Sequence, residues 1–369
     1  MVGTRSRCAP RGLLGMLALV ALVEALIVRA EPAINGVEPW DWRATGRAAA
    51  SSPAVRAASV LCLGDSLVKL GVDPKALASG LGAGRSAYGL ALCAGRAPAS
   101  DFLLRRALAA GARPRAIVVD FNDSFLAEPP ETTLRLYSEL LRPVEAVELA
   151  GAMGRPDFAS AVFAFQALPS ARNRFEVRRA VLDLLAGSAD FAGKRAAVGR
   201  LRRNWRAHDG GQATPRNPHP LPADPAAWAG GGPSAWRPDP TNAAYLDAFL
   251  ARAEAHGIPV FWLLPPLHPG FAARRAELGT DAPVDAFVAR ALARFPGLTV
   301  VDGRRAGYDP SVFVDMAHLD RDGSARLTRD LAAAVAGALA RCDGPRVVAL
   351  PDAGAPAGRV AAEGTPVAR

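Results

Sequence analysis

The chain has 369 residues, half of them hydrophobic, which is enough to bury a sizeable core and argues against global disorder. Its formal charge is +9, and basic residues are frequent between positions 172 and 206. This surplus indicates either a face for anionic lipid or acidic polysaccharide, or solvated arginine-rich helices. Four cysteines do not make a disulfide framework.

Residues 1–30 are predicted to be a signal peptide or a signal anchor, because basic residues precede an unbroken apolar run over 13–23. The eleven apolar residues suit a signal-peptide core, whereas the seventeen residues 12–28 reach the lower limit for a membrane span. Both alternatives place the bulk of the chain outside the cytoplasm. We expect the protein to be membrane-anchored if the segment is retained, and secreted or periplasmic if it is cleaved. Nucleic acid is therefore not an expected partner.

Residues 31–58, rich in Ala, Pro and Ser, are predicted to be a flexible tether, and residues 59–343 a single domain. Short, wholly apolar runs alternate there with amphipathic segments, as in a parallel sheet covered on both faces. The predicted strands are 59–63, 90–93, 116–120, 258–264 and 298–301, and the clearest helices are 99–110, 242–256, 281–294 and 322–340. We therefore expect an α/β fold: a doubly wound three-layer sandwich with a mostly parallel five-stranded sheet.

An insertion over residues 128–241 interrupts this alternation. Its first part is predicted to be helical over 132–150 and 172–185, and its second part, 207–240, is a loop with thirteen Pro or Gly residues. The low-complexity tail 344–369 is predicted to be disordered.

The run Val-Leu-Cys-Leu-Gly-Asp-Ser over 60–66 carries the first chemical signal. Ser66 directly follows a predicted strand, at the edge where open parallel sheets place ligands. Two interpretations are open: a nucleophile, which needs a base and an oxyanion site, or the cap of the next helix.

The second signal is Asp315, three residues ahead of His318 and just before the last helix. A carboxylate at this spacing can hold the imidazole while its other nitrogen faces a serine. His268, after the fourth predicted strand, is the reserve candidate for the base. No cluster of Cys and His has metal-ligand spacing, so we expect no metal and no other cofactor.

With these motifs in this order, the chain resembles the SGNH/GDSL hydrolase superfamily over 59–67, 90–100, 116–123 and 313–327. The resemblance implies Ser66 as nucleophile, His318 as base and Asp315 as its orienting carboxylate. It also implies an oxyanion hole formed by the Ser66 amide, the Gly95 amide and the Asn122 side chain. Asp120 stands where that superfamily usually has glycine.

The resemblance implies an exported serine esterase that acts on acyl esters, such as O-acetyl groups of cell-surface polysaccharide, with the membrane contacted through the N-terminal segment. Alternatives are an O-acyltransferase with the same triad, a non-catalytic SGNH-like module that binds carbohydrate or the envelope, and a structural envelope protein.

Overall fold

The structure, a computed structural model, describes residues 11–216, 218, 221, 236–341 and 346–351. It is an α/β protein with an open, parallel sheet of six strands. The strands are β1 (Val60–Leu63), β2 (Ala87–Gly89), β3 (Ala116–Val119), β4 (Val260–Leu264), β5 (Leu298–Asp302) and β6 (Arg346–Ala349). The helices are α1 (Arg11–Ile34), α2 (Glu38–Ser51), α3 (Pro53–Ala57), α4 (Ser66–Gly71), α5 (Pro74–Gly80), α6 (Ala97–Ala109), α7 (Asp123–Ala127), α8 (Leu134–Leu140), α9 (Pro143–Ala152), α10 (Pro156–Ala167), α11 (Pro169–Arg172), α12 (Arg174–Leu185), α13 (Phe191–Ala207), α14 (Pro240–Ala255), α15 (Pro269–Leu278), α16 (Asp281–Arg294) and α17 (Arg321–Arg341).

The chain divides into two compact units. The first combines Met1–Trp40 with Leu134–Arg200, and in the described residues it is helical. The second combines Asp41–Thr133 with Leu201–Arg369 and contains the sheet.

The strands of the sheet lie in the order β2-β1-β3-β4-β5-β6, and every neighbouring pair is parallel. The chain passes from β1 to β2 on one side and then returns to place β3 on the other side of β1. This reversal puts the carboxyl ends of β1 and β3 next to each other, which is where open α/β sheets form ligand sites.

Helices cover both faces of the sheet, and this explains why the strands are continuously apolar. On one face, Cys62, Val118 and Phe261 belong to a core that includes Leu327 and Leu331 of α17. On the other face, alternation points the Trp262 side chain the opposite way, into edge-to-face contact with Phe121 at a ring-centroid distance of 5.4 Å.

Two strand predictions need correction. The second strand is 87–89, not 90–93, although beyond its end the Leu90 N–H still donates to the Cys62 carbonyl and the Leu92 N–H to the Gly64 carbonyl. Residues 90–92 are buried but are not part of a strand. An apolar run in the sequence predicts burial, and it does not distinguish a buried strand from a buried loop. A sixth strand, β6, pairs with β5 inside the segment predicted to be a disordered tail. Residues 352–369 lie outside the described residues.

The predicted flexible tether, 31–58, is also corrected, because α2 and α3 occupy most of it. Trp42, Thr45 and Ala49 are fully buried and recur at helical spacing, and the Trp42 indole N–H donates to the Cys93 carbonyl at 2.9 Å. Small residues form most of this buried face, so it does not resemble an apolar stripe in the sequence.

The predicted helix 132–150 is divided in the structure between α8 and α9. Pro143 begins α9, as expected for a residue that cannot continue a preceding helix. The predicted helix 172–185 is present as α12, starting at Arg174. Half of the Pro- and Gly-rich loop, namely 217, 219–220 and 222–235, lies outside the described residues.

A buried ion pair joins α2 to α4, the helix that begins at Ser66. The Lys69 ammonium lies 2.8 Å from the Asp41 carboxylate and also donates to the Ala91 carbonyl at 3.0 Å. Both side chains are almost fully buried, so the attraction within the pair offsets part of the cost of removing each charge from water.

We therefore expect Lys69→Met to lower the free energy of unfolding by about 3–5 kcal/mol, because it removes a buried cationic partner of the Asp41 carboxylate. The double variant Asp41→Asn/Lys69→Met should recover part of this loss. Denaturant unfolding of the wild type and the three variants, including Asp41→Asn alone, measures the coupling. A loss below about 1 kcal/mol in Lys69→Met, the range of an exposed pair, would contradict this account.

Candidate active site

The loop after β1 makes a backbone approach that requires glycine. Gly64 has a φ of +114°, and a Cβ atom there would lie 1.6 Å from the Asp120 Oδ1 atom. Asp65 then caps α4 by accepting a hydrogen bond from the Leu67 N–H at 2.7 Å. The sharp turn at Gly64 thus places Ser66 as the first residue of α4, at the carboxyl edge of the sheet.

A tight loop before α17 carries the second half of the site. Phe313 and Leu319 pair as an antiparallel bridge, and the Val314 N–H donates to the His318 carbonyl at 2.9 Å. Within this loop the Asp315 Oδ1 atom accepts hydrogen bonds from the backbone N–H of residue 317 at 3.0 Å and of His318 at 2.8 Å. The carboxylate is therefore held in place by the backbone of its own turn.

The two loops bring three predicted residues together. The His318 Nε2 atom lies 2.7 Å from the Ser66 Oγ atom, across 252 positions of sequence. The His318 Nδ1 atom lies 2.7 Å from Asp315 Oδ2. The hydroxyl, the imidazole and the carboxylate thus form one continuous hydrogen-bonded chain, in which the carboxylate selects the tautomer that leaves Nε2 to accept the hydroxyl proton.

Electrostatics around His318 favour its protonated form. Burial alone would lower the pKa of His318, but the hydrogen bond to Asp315 and the charges of Asp315 and Asp65 outweigh burial and raise the pKa above its usual 6.5. Burial acts to raise the pKa of Asp315, yet the hydrogen bonds from His318 and the backbone lower it to about 2. Asp315 therefore stays ionised at neutral pH.

Beneath the serine lies a buried pair of carboxyl groups, Asp65 and Asp120. The Asp65 N–H donates to Asp120 Oδ1 at 2.7 Å, which holds the two carboxyl groups close together. Burial and the neighbouring Asp65 charge raise the pKa of Asp120 well above its usual value. The pair therefore favours a proton on Asp120 and the negative charge on Asp65.

The predicted oxyanion donors differ in their availability. Within the described part of the chain, no protein atom accepts a hydrogen bond from the Ser66 N–H. Asn122 follows β3, and its Oδ1 atom accepts a hydrogen bond from the Ser124 N–H at 2.9 Å. The Gly95 N–H donates to the Leu92 carbonyl at 2.9 Å, so in this conformation it is not free to bind an oxyanion.

A small apolar cavity of about 70 Å³ lies beside the hydrogen-bonded series of Ser66, His318 and Asp315. Its lining includes Leu67, Asn122 and Met316, each within two residues or one loop of the serine or the imidazole. Arg275 also reaches it, but its charge is compensated at 2.7 Å by Asp123 and by Asp281. The cavity therefore offers an apolar wall next to the serine rather than an unpaired cation.

His268 is the reserve candidate for the base, but it is His318 whose Nε2 atom faces the Ser66 hydroxyl. The His268 side chain is fully buried, it caps α15 by accepting from the Gly270 N–H at 3.2 Å, and burial lowers its pKa. The His268 N–H donates to the Met316 carbonyl at 2.9 Å, so this residue supports the loop that holds His318. Among the residues that the structure describes, no group of three or more His, Cys, Asp or Glu side chains could hold a metal ion.

Sequence reasoning missed the part played by Asp120. A strand followed by an aspartate looks like an ordinary turn, and Asp120 stood out through its departure from the glycine that the resemblance leads one to expect. The available signal was Gly64: a glycine between an apolar strand and a capping aspartate indicates that another group approaches the backbone closely. The cavity residues after β4 gave no signal beyond their apolar character.

A comparison with protein-family models finds none that matches the chain, and a search of curated proteins finds no significant match. The functional assignment therefore depends on the geometry of the site.

The buried acid pair predicts a pH-dependent stability. Because the pKa of Asp120 is raised in the folded state, the folded protein keeps a proton that the unfolded chain releases above the usual pKa of about 3.8. The corresponding stability is fully present below that pH and is lost as the pH rises toward the raised pKa, by up to about 1.4 kcal/mol per pH unit.

Asp120→Asn keeps the shape and can accept from the Asp65 N–H and donate to the Asp65 carboxylate, yet it does not titrate. Between pH 5 and pH 8 we expect the wild type to lose more unfolding free energy than this variant, measured by denaturant titration at each pH. Equal losses in the two proteins would show that Asp120 is already ionised in the folded state. Asp309→Asn, at an exposed cap, is the matched control.

Proposed function

We propose that this chain is an exported serine hydrolase of the SGNH/GDSL type that cleaves small acyl esters. The observation that carries the proposal is the hydrogen-bonded series from the Ser66 hydroxyl through His318 to Asp315, with both links at 2.7 Å. A hydroxyl is a poor nucleophile by itself, and this arrangement supplies both the base and the group that orients the base.

The reaction follows from these contacts. The Ser66 Oγ atom attacks the ester carbonyl carbon while its proton passes to His318 Nε2, and the carbonyl π electrons move to oxygen to give a tetrahedral oxyanion. Collapse of this intermediate breaks the bond to the alkoxide, which takes the proton from His318. Water, deprotonated by the same nitrogen, then attacks the acyl-serine, and the second tetrahedral intermediate breaks its bond to Ser66 Oγ, which takes the proton back from His318 as the carboxylic acid leaves. Asp315 stabilises the imidazolium in each half-reaction.

The oxyanion would be bound by the Ser66 N–H and the Asn122 side chain. Preorganised donors of this kind typically contribute about 10²–10³ in rate each. Since the Gly95 N–H is bonded to Leu92, we leave it out of the proposed hole.

The acyl group is proposed to enter the apolar cavity beside Leu67. A volume of about 70 Å³ favours a short chain such as acetyl over a long fatty acyl chain. O-acetyl groups on cell-surface polysaccharide are substrates of this size.

Helix α1 supports the proposed location outside the cytoplasm. Its segment Gly12–Ile34 has a mean hydropathy of 2.3 and is long and apolar enough to be a signal peptide or a membrane anchor. The length and composition of this helix fit a signal peptide and a membrane anchor equally well.

Acyl transfer to a sugar hydroxyl remains the alternative, because it shares the same acyl-serine. With an activated acetyl ester, product partitioning toward acetylated sugar at saturating oligosaccharide would indicate a transferase. Release of acetate regardless of acceptor would indicate a hydrolase.

The nucleophile is tested with a fluorophosphonate probe, which forms a covalent adduct on an activated serine. We expect labelling at Ser66, its loss in Ser66→Ala and His318→Ala, and a fall in ester hydrolysis of about 10⁴-fold or more in either variant. His208→Ala is the matched control, because His208 also pairs with an aspartate, Asp73, at 2.9 Å. A folded protein that takes no label would instead favour the non-catalytic binding module.

The pH dependence of kcat/KM tests the base. Because His318 must be neutral to accept a proton and its pKa is raised, we expect kcat/KM to increase with pH, with a midpoint above 6.5. Asp315→Asn removes two of the interactions that raise this pKa, so the midpoint should move to lower pH while the maximal rate falls by up to about 10⁴-fold. An unchanged midpoint would contradict the assignment of His318.

A further inference from the structure

The helical unit exposes an unusual amount of apolar surface. Apart from those on α1, eleven large hydrophobic side chains are exposed in the described part of the chain, and nine of them fall in this unit. The nine are Val144, Val147, Phe163, Leu168, Phe175, Val181, Leu182, Leu184 and Leu185. We call this set the apolar surface. Single apolar side chains scattered over a surface are ordinary, whereas contiguous ones mark interaction sites, and helical spacing makes those of α12 neighbours.

Helix α12 contributes five members of the apolar surface, and four of them follow a helical pattern. Its buried side is centred on Ala180, and Phe175, Val181, Leu182 and Leu185 point away from that side at helical spacing. Leu185 is 79% exposed. The helix is thus apolar on the side that faces away from its own unit, the reverse of what packing within a water-soluble unit requires.

Helix α1 gives a way to locate this surface relative to a bilayer. The helix is apolar and exposed from Leu13 to Val28 except where Glu24 interrupts it. The Glu24 carboxylate accepts hydrogen bonds from the backbone N–H of Ser170, at 2.8 Å, and from the Ser170 hydroxyl. Seven residues later, Glu31 bonds to Asn173 at 3.0 Å and pairs with Arg172. These contacts hold α11 and the start of α12 against the carboxyl-terminal half of α1.

The length of α1 then gives the depth of the contact between Glu24 and Ser170 in a bilayer that α1 spans. Twelve residues separate Gly12 from Glu24, a rise of about 18 Å, which does not cross a hydrocarbon core of about 30 Å. A span that starts at Gly12 ends near Glu31, so the contact between Glu24 and Ser170 lies about 10 Å below the exit surface. Interfacial helices bury their apolar faces to about 5–10 Å, so the segment around Ser170 reaches the depth at which such helices sit.

Charge on α12 fits the same position. Arg178 and Arg179 are exposed among the apolar side chains, and the Arg174 guanidinium stacks over the rings of Phe165 and Phe175 at 5.7 and 4.4 Å from their centroids. Long basic side chains can keep their stems in the acyl region and reach anionic headgroups with their charges.

We propose that helices α9 to α12 form a membrane-embedded lobe, with the apolar surface inserted in the outer-leaflet interface next to a retained, spanning α1. On this account α9 to α12 of the insertion are a lipid-binding element, and α1 is an anchor that its polar contacts with α11 and α12 keep in the structure. The proposal depends on the helical unit alone and holds whether or not Ser66 is a nucleophile.

The test places an environment-sensitive probe on the apolar surface of the full chain. Single cysteines at Leu182→Cys and Leu185→Cys, in a background with the native cysteines replaced by alanine, are labelled with the fluorophore NBD. The proteins are reconstituted into vesicles of phosphatidylcholine and phosphatidylglycerol. Ala289→Cys, exposed on α16 of the sheet-containing unit, is the matched control. Far-UV circular dichroism verifies that each variant is folded.

We expect the emission at 182 and 185 to shift to the blue and to be quenched by lipid that carries a nitroxide near the top of its acyl chain, with neither effect at 289. Quenching of 182 and 185 by aqueous iodide to the same extent as 289 would overturn the proposal. Protection from iodide that grows with the protein-to-lipid ratio, without quenching by the nitroxide lipid, would also overturn it and assign the apolar surface to a second copy of the chain.

Discussion

The site depends on the close approach of the loops that follow β1 and β3. The Asp120 carboxyl occupies the space where a side chain at residue 64 would be, and it binds the Asp65 N–H at 2.7 Å. Asp65 in turn binds the first turn of α4, which begins with Ser66. The buried acid pair therefore positions the serine from below. Asp120 can approach this closely only because residue 64 is a glycine and has no side chain.

The imidazole reaches the same point because α17 is fastened to the end of α4. The Ser324 hydroxyl donates to the Gly71 carbonyl at 3.1 Å, and the Asp73 N–H donates to the Thr328 hydroxyl at 3.0 Å. Leu327 packs in the core between them. Ordinary helix packing thus sets the distance between two groups that are 252 residues apart in the chain.

Much of this arrangement was predictable from the sequence, for identifiable reasons. Apolar runs covered on both faces are distinctive, and α16 matches its predicted bounds. The nearness of Ser66 and His318 was predictable because Ser66 follows a strand and His318 precedes the last helix. The packing of a parallel sheet with its helices constrains where both elements lie. The helix around Trp42 was not, since its buried face is mostly small residues. The bonding of the Gly95 N–H was also out of reach, because it depends on a backbone turn at residue 94, which has a φ of +58°.

The acid–base half of the site is local, whereas the hydroxyl comes from elsewhere. Asp315 and His318 share one turn, and that turn is continuous with α17 through Leu319 and Asp320, whose carboxylate accepts from the N–H groups of the first turn of the helix at 2.9 and 3.0 Å. Detachment of α17 would carry the carboxylate and the imidazole away from the serine as a unit. Because Leu327, Leu331 and Val335 of α17 belong to the core that covers one face of the strands, the same event would expose that face of the sheet to water. Loss of the acid–base pair and loosening of the sheet are therefore coupled in this architecture.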